Sequence, residues 1–202
     1  MTYKQIFPTK GNLLNTKKSL ELARTGYELM DRKRNILIKK IMSLIKSAED
    51  LQNEMRAKYD EAHQKLQNAI VTLGNIEDLV KMVPIETGVK INYLSIMGVE
   101  IPEVTIEEKN TKNYFGYDRT NSLLDEAYIK FDELKRYTVM FSEIENEICL
   151  LANGIKKTQK RANALKYVII PRFEYIVKYI TNALEEKDRE EFSRMKVIKK
   201  TF

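Results

Sequence analysis

A seven-residue apolar period runs through both ends of this chain and excludes most compact folds. From Leu13, every seventh residue is Leu13, Leu20, Tyr27, Arg34, Ile41, Ala48, Met55, Ala62, Ala69 and Ile76. From Ala127 the same step gives Ala127, Leu134, Phe141, Ile148, Ile155, Ala162, Ile169, Ile176 and Ala183. Arg34 alone breaks the pattern. Seven residues are two helical turns, so each series marks one stripe of a long helix. A companion stripe accompanies the first: Thr16, Ala23, Met30, Leu37, Leu44 and Leu51, then, displaced by one residue, Tyr59, Leu66, Leu73 and Val80. Such a stutter locally unwinds a supercoil. The second series has Ile144, Leu151, Thr158, Leu165 and, less regularly, Tyr179 as companions.

The punctuation between the stripes sets the boundaries. Thr9 after Pro8 is an N-cap, and Pro84 ends the pattern after Val83, a helix of about 70 residues or roughly 105 Å. Ser122 with Asp125 reads as a capping box for a second helix reaching toward Lys200, about 80 residues or roughly 120 Å. Pro171 lies inside it and should bend it just upstream. Between the helices, Pro84, Gly88, Gly98, Pro102 and Gly116 punctuate residues 84–117. There Val89, Ile91 and Tyr93 alternate with polar residues, as do Val99 with Ile101 and Val104 with Ile106. This spacing predicts a short β-hairpin, with Pro102 on an edge or at a bulge. The expected fold is all-α: a long antiparallel two-helix coiled coil with a short β-hairpin-containing connecting segment. Residues 1–83, 84–117 and 118–202 are its three parts, read as one structural unit. Gly26, Gly74 and Gly154 fall inside the helical patterns, as points of close approach or as tolerated imperfections.

Charge supports the fold-back. Of the residues, 32% are charged, above the ~25% of compact domains, as a thin helical pair requires. Residues 1–50 carry net +6 and residues 152–202 net +7, while 51–81, 82–117 and 118–151 carry −1, −2 and −4. An antiparallel hairpin would gather +13 at the end holding both termini and leave −7 in the other half. Crowded like charge costs stability unless a partner neutralises it, so the basic end is a candidate docking end.

Catalytic constellations are missing. Gly11 and Gly26 are not followed by the Lys of a phosphate loop. His63 and Cys149 are the sole residues of their types. His63 reads as a solvated helix residue, and Cys149 as a small packing residue beside Ile148. One cysteine allows no intrachain disulfide and suits a reducing compartment. Glu143, Glu145 and Glu147 scatter round a helix as a solvated face. The basic runs Asp31-Arg32-Lys33-Arg34 and Lys156-Lys157 with Lys160-Arg161 lack the interleaved aromatics of a nucleic-acid surface. Met1 to Lys10 holds no apolar leader, and no run of about 18 apolar residues spans a membrane.

Pro8-Thr9-Lys10 followed by Leu13, Lys17, Leu20, Ala23, Gly26 and Lys33-Arg34 resembles the N-terminal signature of the D subunits of V-type and A-type rotary ATPases. The stretch from Lys157-Thr158-Gln159-Lys160-Arg161-Ala162 to Tyr167, then Ile170-Pro171, Tyr179-Ile180, Glu185-Glu186 and Arg189 to Lys196, resembles the C-terminal signature. Departures from the family pattern lie at Met30-Asp31, Lys160, Ala162 and Lys166, the last a charge reversal. The resemblance implies a central stalk, a rotating axle that couples ATP hydrolysis or synthesis to proton or sodium transport. It implies no catalysis and no cofactor. The partners it implies are the A and B subunits of the ATPase ring, the small central-stalk F subunit, and the membrane-rotor adaptor (the C or d subunit). Neither nucleic acid nor membrane insertion is implied, and the location would be cytoplasmic, peripheral to the membrane through the complex. Ring contact would fall on Lys10, Lys33, Arg34, Lys157, Lys160 and Arg161. The rival readings are a coiled-coil adaptor unrelated to ATPases and a basic helical nucleic-acid binder.

Small-angle scattering of the isolated chain is expected to give a maximum dimension of about 100 Å or more, from the helical rise. A particle of half that size would sink the fold-back arrangement.

Overall fold

The computed structural model describes residues 7–107 and 120–201. In chain order these form α1 (Lys10–Leu73), the short α2 (Glu77–Val80), β1 (Val89–Ile96), β2 (Val99–Ile106), α3 (Ser122–Ala164), a π-helical segment (Leu165–Ile169) and α4 (Ile170–Thr201). Gly116, read as punctuation of the linking segment, lies outside the described residues. Two compact units emerge: unit 1 combines residues 1–36 with 155–202, and unit 2 is residues 37–154.

The helix ends follow local chemistry. Thr9 caps α1: Oγ1 accepts from the Asn12 amide at 3.2 Å, and the Thr9 carbonyl accepts from the Leu13 amide at 3.0 Å. α1 stops ten residues short of the expected Val83. Gly74 takes φ +73, and its amide donates to the Ile70 carbonyl at 2.8 Å. A left-handed glycine is the ordinary way to end a helix, so Gly74 is a terminator and not a mid-helix imperfection. The next helix restarts with the Glu77 amide bonded to Asn75 Oδ1 at 3.0 Å. The cap of α3 is displaced by one from expectation. The Asn121 carbonyl accepts from Leu124 at 2.9 Å and from Asp125 at 3.4 Å, so Asn121 occupies the cap position and Ser122 the first turn.

Unit 1 pairs the start of α1 with α4 and the end of α3. Arg24 bonds Glu174 at 2.6 Å, and Arg34 Nη1 donates to Gln159 Oε1 at 2.8 Å. Rising numbers on α1 meet falling numbers on its partner, so the pairing is antiparallel. Ala23, Ala162, Ile176 and Ile180 form its buried apolar positions. The disturbance expected at Pro171 takes the form of the π-helical segment, where the Ile170 amide reaches back five residues to the Leu165 carbonyl. A proline cannot donate to the residue four before it, and the wider turn accommodates that loss. Beyond it Ile176 and Ala183 of the main stripe stay inward, while the companion position moves by one residue. Tyr179, expected inward, is 52% exposed, and its neighbour Ile180 is fully buried instead.

Unit 2 pairs the rest of α1 with α3, again antiparallel, through Lys40–Glu147, Lys58–Glu133 and Lys65–Glu126. Leu37, Leu44, Ala62, Ala69, Ala127, Leu134 and Leu151 are buried. Both seven-residue stripes face inward throughout, since no member of either is exposed. Tyr59 and Val80 of the companion stripe are exposed. Tyr59 instead packs on the His63 ring at 4.3 Å, and His63 meets the edge of Phe131 at 5.7 Å. His63 is therefore a half-buried packing residue and not a solvated one. Cys149, expected to pack, is exposed. Where α1 ends, Ala69, Ile76 and Leu124 form a small core with Leu66, Leu73 and Tyr128 around it.

The predicted hairpin is present. β1 and β2 pair antiparallel in unbroken register from Val89–Ile106 to Ile96–Val99. Met97 and Gly98 take φ +52 and +72, the positive values a two-residue type I′ turn demands. Pro102 pairs with Tyr93 without a bulge, tolerated because each strand of a two-stranded sheet has a free edge.

Leu151 lies on the buried stripe of α3 with no exposure. Leu151→Ala is expected to cost about 2–5 kcal/mol in urea unfolding. Ile129→Ala, at a half-exposed site, is expected to cost under about 0.5 kcal/mol. Equal losses would contradict the inward phase.

Candidate interaction surfaces

The sequence of unit 1 holds 21 Lys and Arg against 9 Asp and Glu, and that of unit 2 holds 14 against 20. The units thus carry net +12 and −6. An α-helix exposes every residue outside its seam, so in unit 1 the surplus cations stand on the outward faces of α1, α3 and α4.

The six expected contact residues divide into two kinds. Lys10, Lys157, Lys160 and Arg161 are exposed, and Lys33 is half-buried. Arg34 differs. Its guanidinium contacts Asp31 at 2.7 Å and Gln159 at 2.8 Å, with 27% of the side chain exposed. A cation is tolerated on the apolar stripe here because its charged head is satisfied by Asp31 on α1 and by Gln159 across the helix pair. Lys166 lies 5.7 Å from the Tyr27 ring and 5.4 Å from that of Tyr167. A cation over two rings needs no carboxylate partner. From Glu185 to Lys200 every residue of α4 is exposed, including Phe192, Met195 and Ile198.

Unit 2 presents a groove of about 690 Å³ beside the hairpin base. Val83, Val104, Ile106, Tyr128 and Phe131 supply its apolar wall, and Glu86, Asp132 and Lys135 its charged rim. Lys135 Nζ is 2.7 Å from Asp132 and 3.0 Å from Glu86. Burial pushes the Lys135 ammonium down, but Asp132 and Glu86 outweigh it and hold the group above its ordinary value. A second network joins α1 to α3: Lys130 is 3.0 Å from Glu61 and 3.4 Å from Glu133, and Lys58 is 3.4 Å from Glu133. Burial pushes Glu133 up, yet hydrogen bonds from Lys58 and Lys130 prevail and lower it. The pairs Lys58–Glu61 and Lys130–Glu133 have helical i,i+3 spacing and were legible as such. Their joining across two helices was not, nor was the Lys135–Glu86 bond over 49 residues. Among the described residues, no helix is long and apolar enough to cross a membrane.

Two helical units of opposite net charge, spanned by one seven-residue period, define a coiled-coil assembly component whose outward faces are available to partners. The sequence profile of the family described as the D subunit of ATP synthase matches residues 12–200. The V-type ATP synthase D subunit of Thermotoga neapolitana is 39% identical over 196 residues, covering 96% of this chain and 97% of the relative. The A-type ATP synthase D subunit of Methanopyrus kandleri is 35% identical, covering 95% of this chain and 84% of the relative. That of Pyrococcus horikoshii is 32% identical, covering 96% and 94%. The chain belongs to the family of ATP synthase D subunits, the central-stalk components of V-type and A-type rotary ATPases. The unrelated adaptor and the nucleic-acid binder are not favoured.

Glu133 is held below its ordinary value, so its contribution to stability is present at neutral pH and lost as pH falls through the lowered folded value, beneath about 4.3. The urea midpoint is expected to hold steady from pH 7 to about pH 5 and to fall below that. Glu133→Gln should remove part of that acid-side fall. An unchanged acid profile in the variant would show that the network contributes nothing.

Proposed function

We propose that this chain is the rotor shaft of a V/A-type ATPase, a non-catalytic component that transmits torque between a nucleotide-binding ring and an ion-conducting membrane rotor. The partition of charge carries the reading: net +12 in unit 1 against −6 in unit 2, within a chain matched to the family over almost its whole length. A shaft must resist twisting. Paired helices close their own backbone hydrogen bonds and bury a continuous seam, which makes each unit stiffer than a lone helix.

The partners follow from the same partition. Unit 1, with Lys10, Lys33, Lys157, Lys160 and Arg161 outward or half-outward, is the part suited to the A and B subunits of the ring, whose bearing surface would supply carboxylates and backbone carbonyls. Arg34 is engaged within the helix pair and would act there by holding the shaft together. Unit 2, with its acidic surface, hairpin and groove, is suited to the small central-stalk F subunit. Connection to the membrane rotor would pass through the adaptor, leaving this chain cytoplasmic and peripheral, without cofactor or nucleic acid. ATP hydrolysis in the ring would turn the shaft, or proton or sodium flow would turn it in the synthetic direction.

Replacing Lys33, Lys157, Lys160 and Arg161 together by Glu tests the bearing. Exposed charges contribute little singly to folding, so the helical melting curve is expected to move little. Affinity for the ring should fall, and the difference between variant and parent should shrink as salt is raised. A fourfold variant that assembles and turns over ATP like the parent at low salt would refute an electrostatic bearing.

A further inference from the structure

The hairpin is held at two places of different character, both within unit 2. Its base is tied by charge. Lys135 Nζ lies 3.0 Å from Glu86 Oε2, while Glu86 Oε1 accepts from the Gly88 amide at 2.9 Å, just before β1 begins. Its tip is held by apolar contact. Val99, the first residue of β2 after the Met97-Gly98 turn, lies against Gly154 of α3. A Cβ placed on Gly154 would stand 2.7 Å from Val99 Cγ2, inside any real carbon–carbon contact, with Leu37 Cδ1 at 3.9 Å. Ile101, two residues along the same face of β2, is buried. The companion strand is the opposite case, since β1 is exposed from Val89 to Ser95.

We propose that Gly154 is the seat of a latch. Its missing side chain lets the hairpin tip lie down on α3, and the hairpin is a strap that can lift at the tip while its charged base stays fastened. Glycine inside a helix is destabilising relative to alanine, so a mid-helix glycine calls for a reason. Gly26 shows what the absence of one looks like: a Cβ there would meet Leu165 Cδ1 at 3.9 Å, an ordinary contact. At Gly154 the space is taken by a β-branched residue, whose stiff side chain yields poorly. Lifting the tip would uncover Val99 and Ile101 and join them to the apolar residues that β1 already exposes, Ile91, Tyr93 and Leu94. The latch therefore sets how much apolar surface the hairpin offers.

Native-state hydrogen exchange on the full chain tests this with Gly154→Ala. The substitution favours the helix, so the unfolding midpoint is expected to stay or rise. Amides of residues 96–101 should exchange on the order of tenfold faster, the effect of overpacking by one methyl on a locally opening segment. Amides near Lys135 and Glu86 should keep their protection. In a Val99→Ala background, which removes the colliding methyls, the same Gly154→Ala change should leave hairpin exchange unaltered. Hairpin exchange that does not change on Gly154→Ala in the otherwise unaltered chain would overturn the latch. Equal acceleration with and without Val99→Ala would also overturn it, because the effect would then lie in the helix and not in the contact.

Discussion

The seam of small side chains between α1 and its helical partners is what the rest of the structure depends on. Ala23, Ala62, Ala69, Ala127 and Ala162 are among the most buried residues of the chain. Alanine removes little apolar area from water, so no one position stabilises the pair strongly. It does allow helices to approach closely, because the distance between helix axes follows the side chains at the contact. Length compensates for the modest gain per turn. Each unit repeats the contact many times, with Leu37, Leu151 and Ile180 as the large, fully enclosed members. Outside the seam nothing need be apolar, which is how 32% charged residues coexist with a stable fold.

Polar groups at the seam are tolerated where they find partners at its edge. Arg34 reaches Gln159 and Asp31, and the Lys58–Glu61–Lys130–Glu133 cluster spans from one helix to the other. These pairs are partly exposed, so each contributes little energy. Their value lies in register. A one-turn slip would separate every cross-helix pair at once, from Lys40–Glu147 to Lys65–Glu126. For the shaft proposed above, resistance to slip would matter more than the depth of the folding minimum.

Membership of the D-type stalk family and the physical reading agree on the kind of molecule. Its seven-residue stripes are taken up by packing within the helix pairs, and the contacts proposed above fall on outward faces and on the appended hairpin. There the two strands have different tasks: β2 turns Ile101 and Val99 inward, while β1 stays exposed. The hairpin thus meets α3 at two places, the Lys135–Glu86 pair at its base and the Val99–Gly154 contact at its tip.

Much of this was legible in the residues alone. Periodicity of seven identified both long helices and every inward position of their main stripes, because a helix converts sequence spacing directly into angle. Alternation of two located the hairpin, and Thr9 after Pro8 located a helix start, for the same local reason. Only the tertiary structure decided the rest. Gly74 ended α1 ten residues before Pro84, since a left-handed glycine terminates a helix as well as a proline does and spacing cannot rank them. Beyond the π-helical segment the companion position moved from Tyr179 to Ile180, a shift of one residue that a periodic reading carries forward unseen. Cys149 and His63 exchanged their expected environments because each lies beside a seam, where a small rotation of the partner decides burial. The contact between Gly154 and Val99 joins positions 55 residues apart in the numbering. It exists because the hairpin folds back on α3, and no local pattern encodes where a returning strand comes to rest.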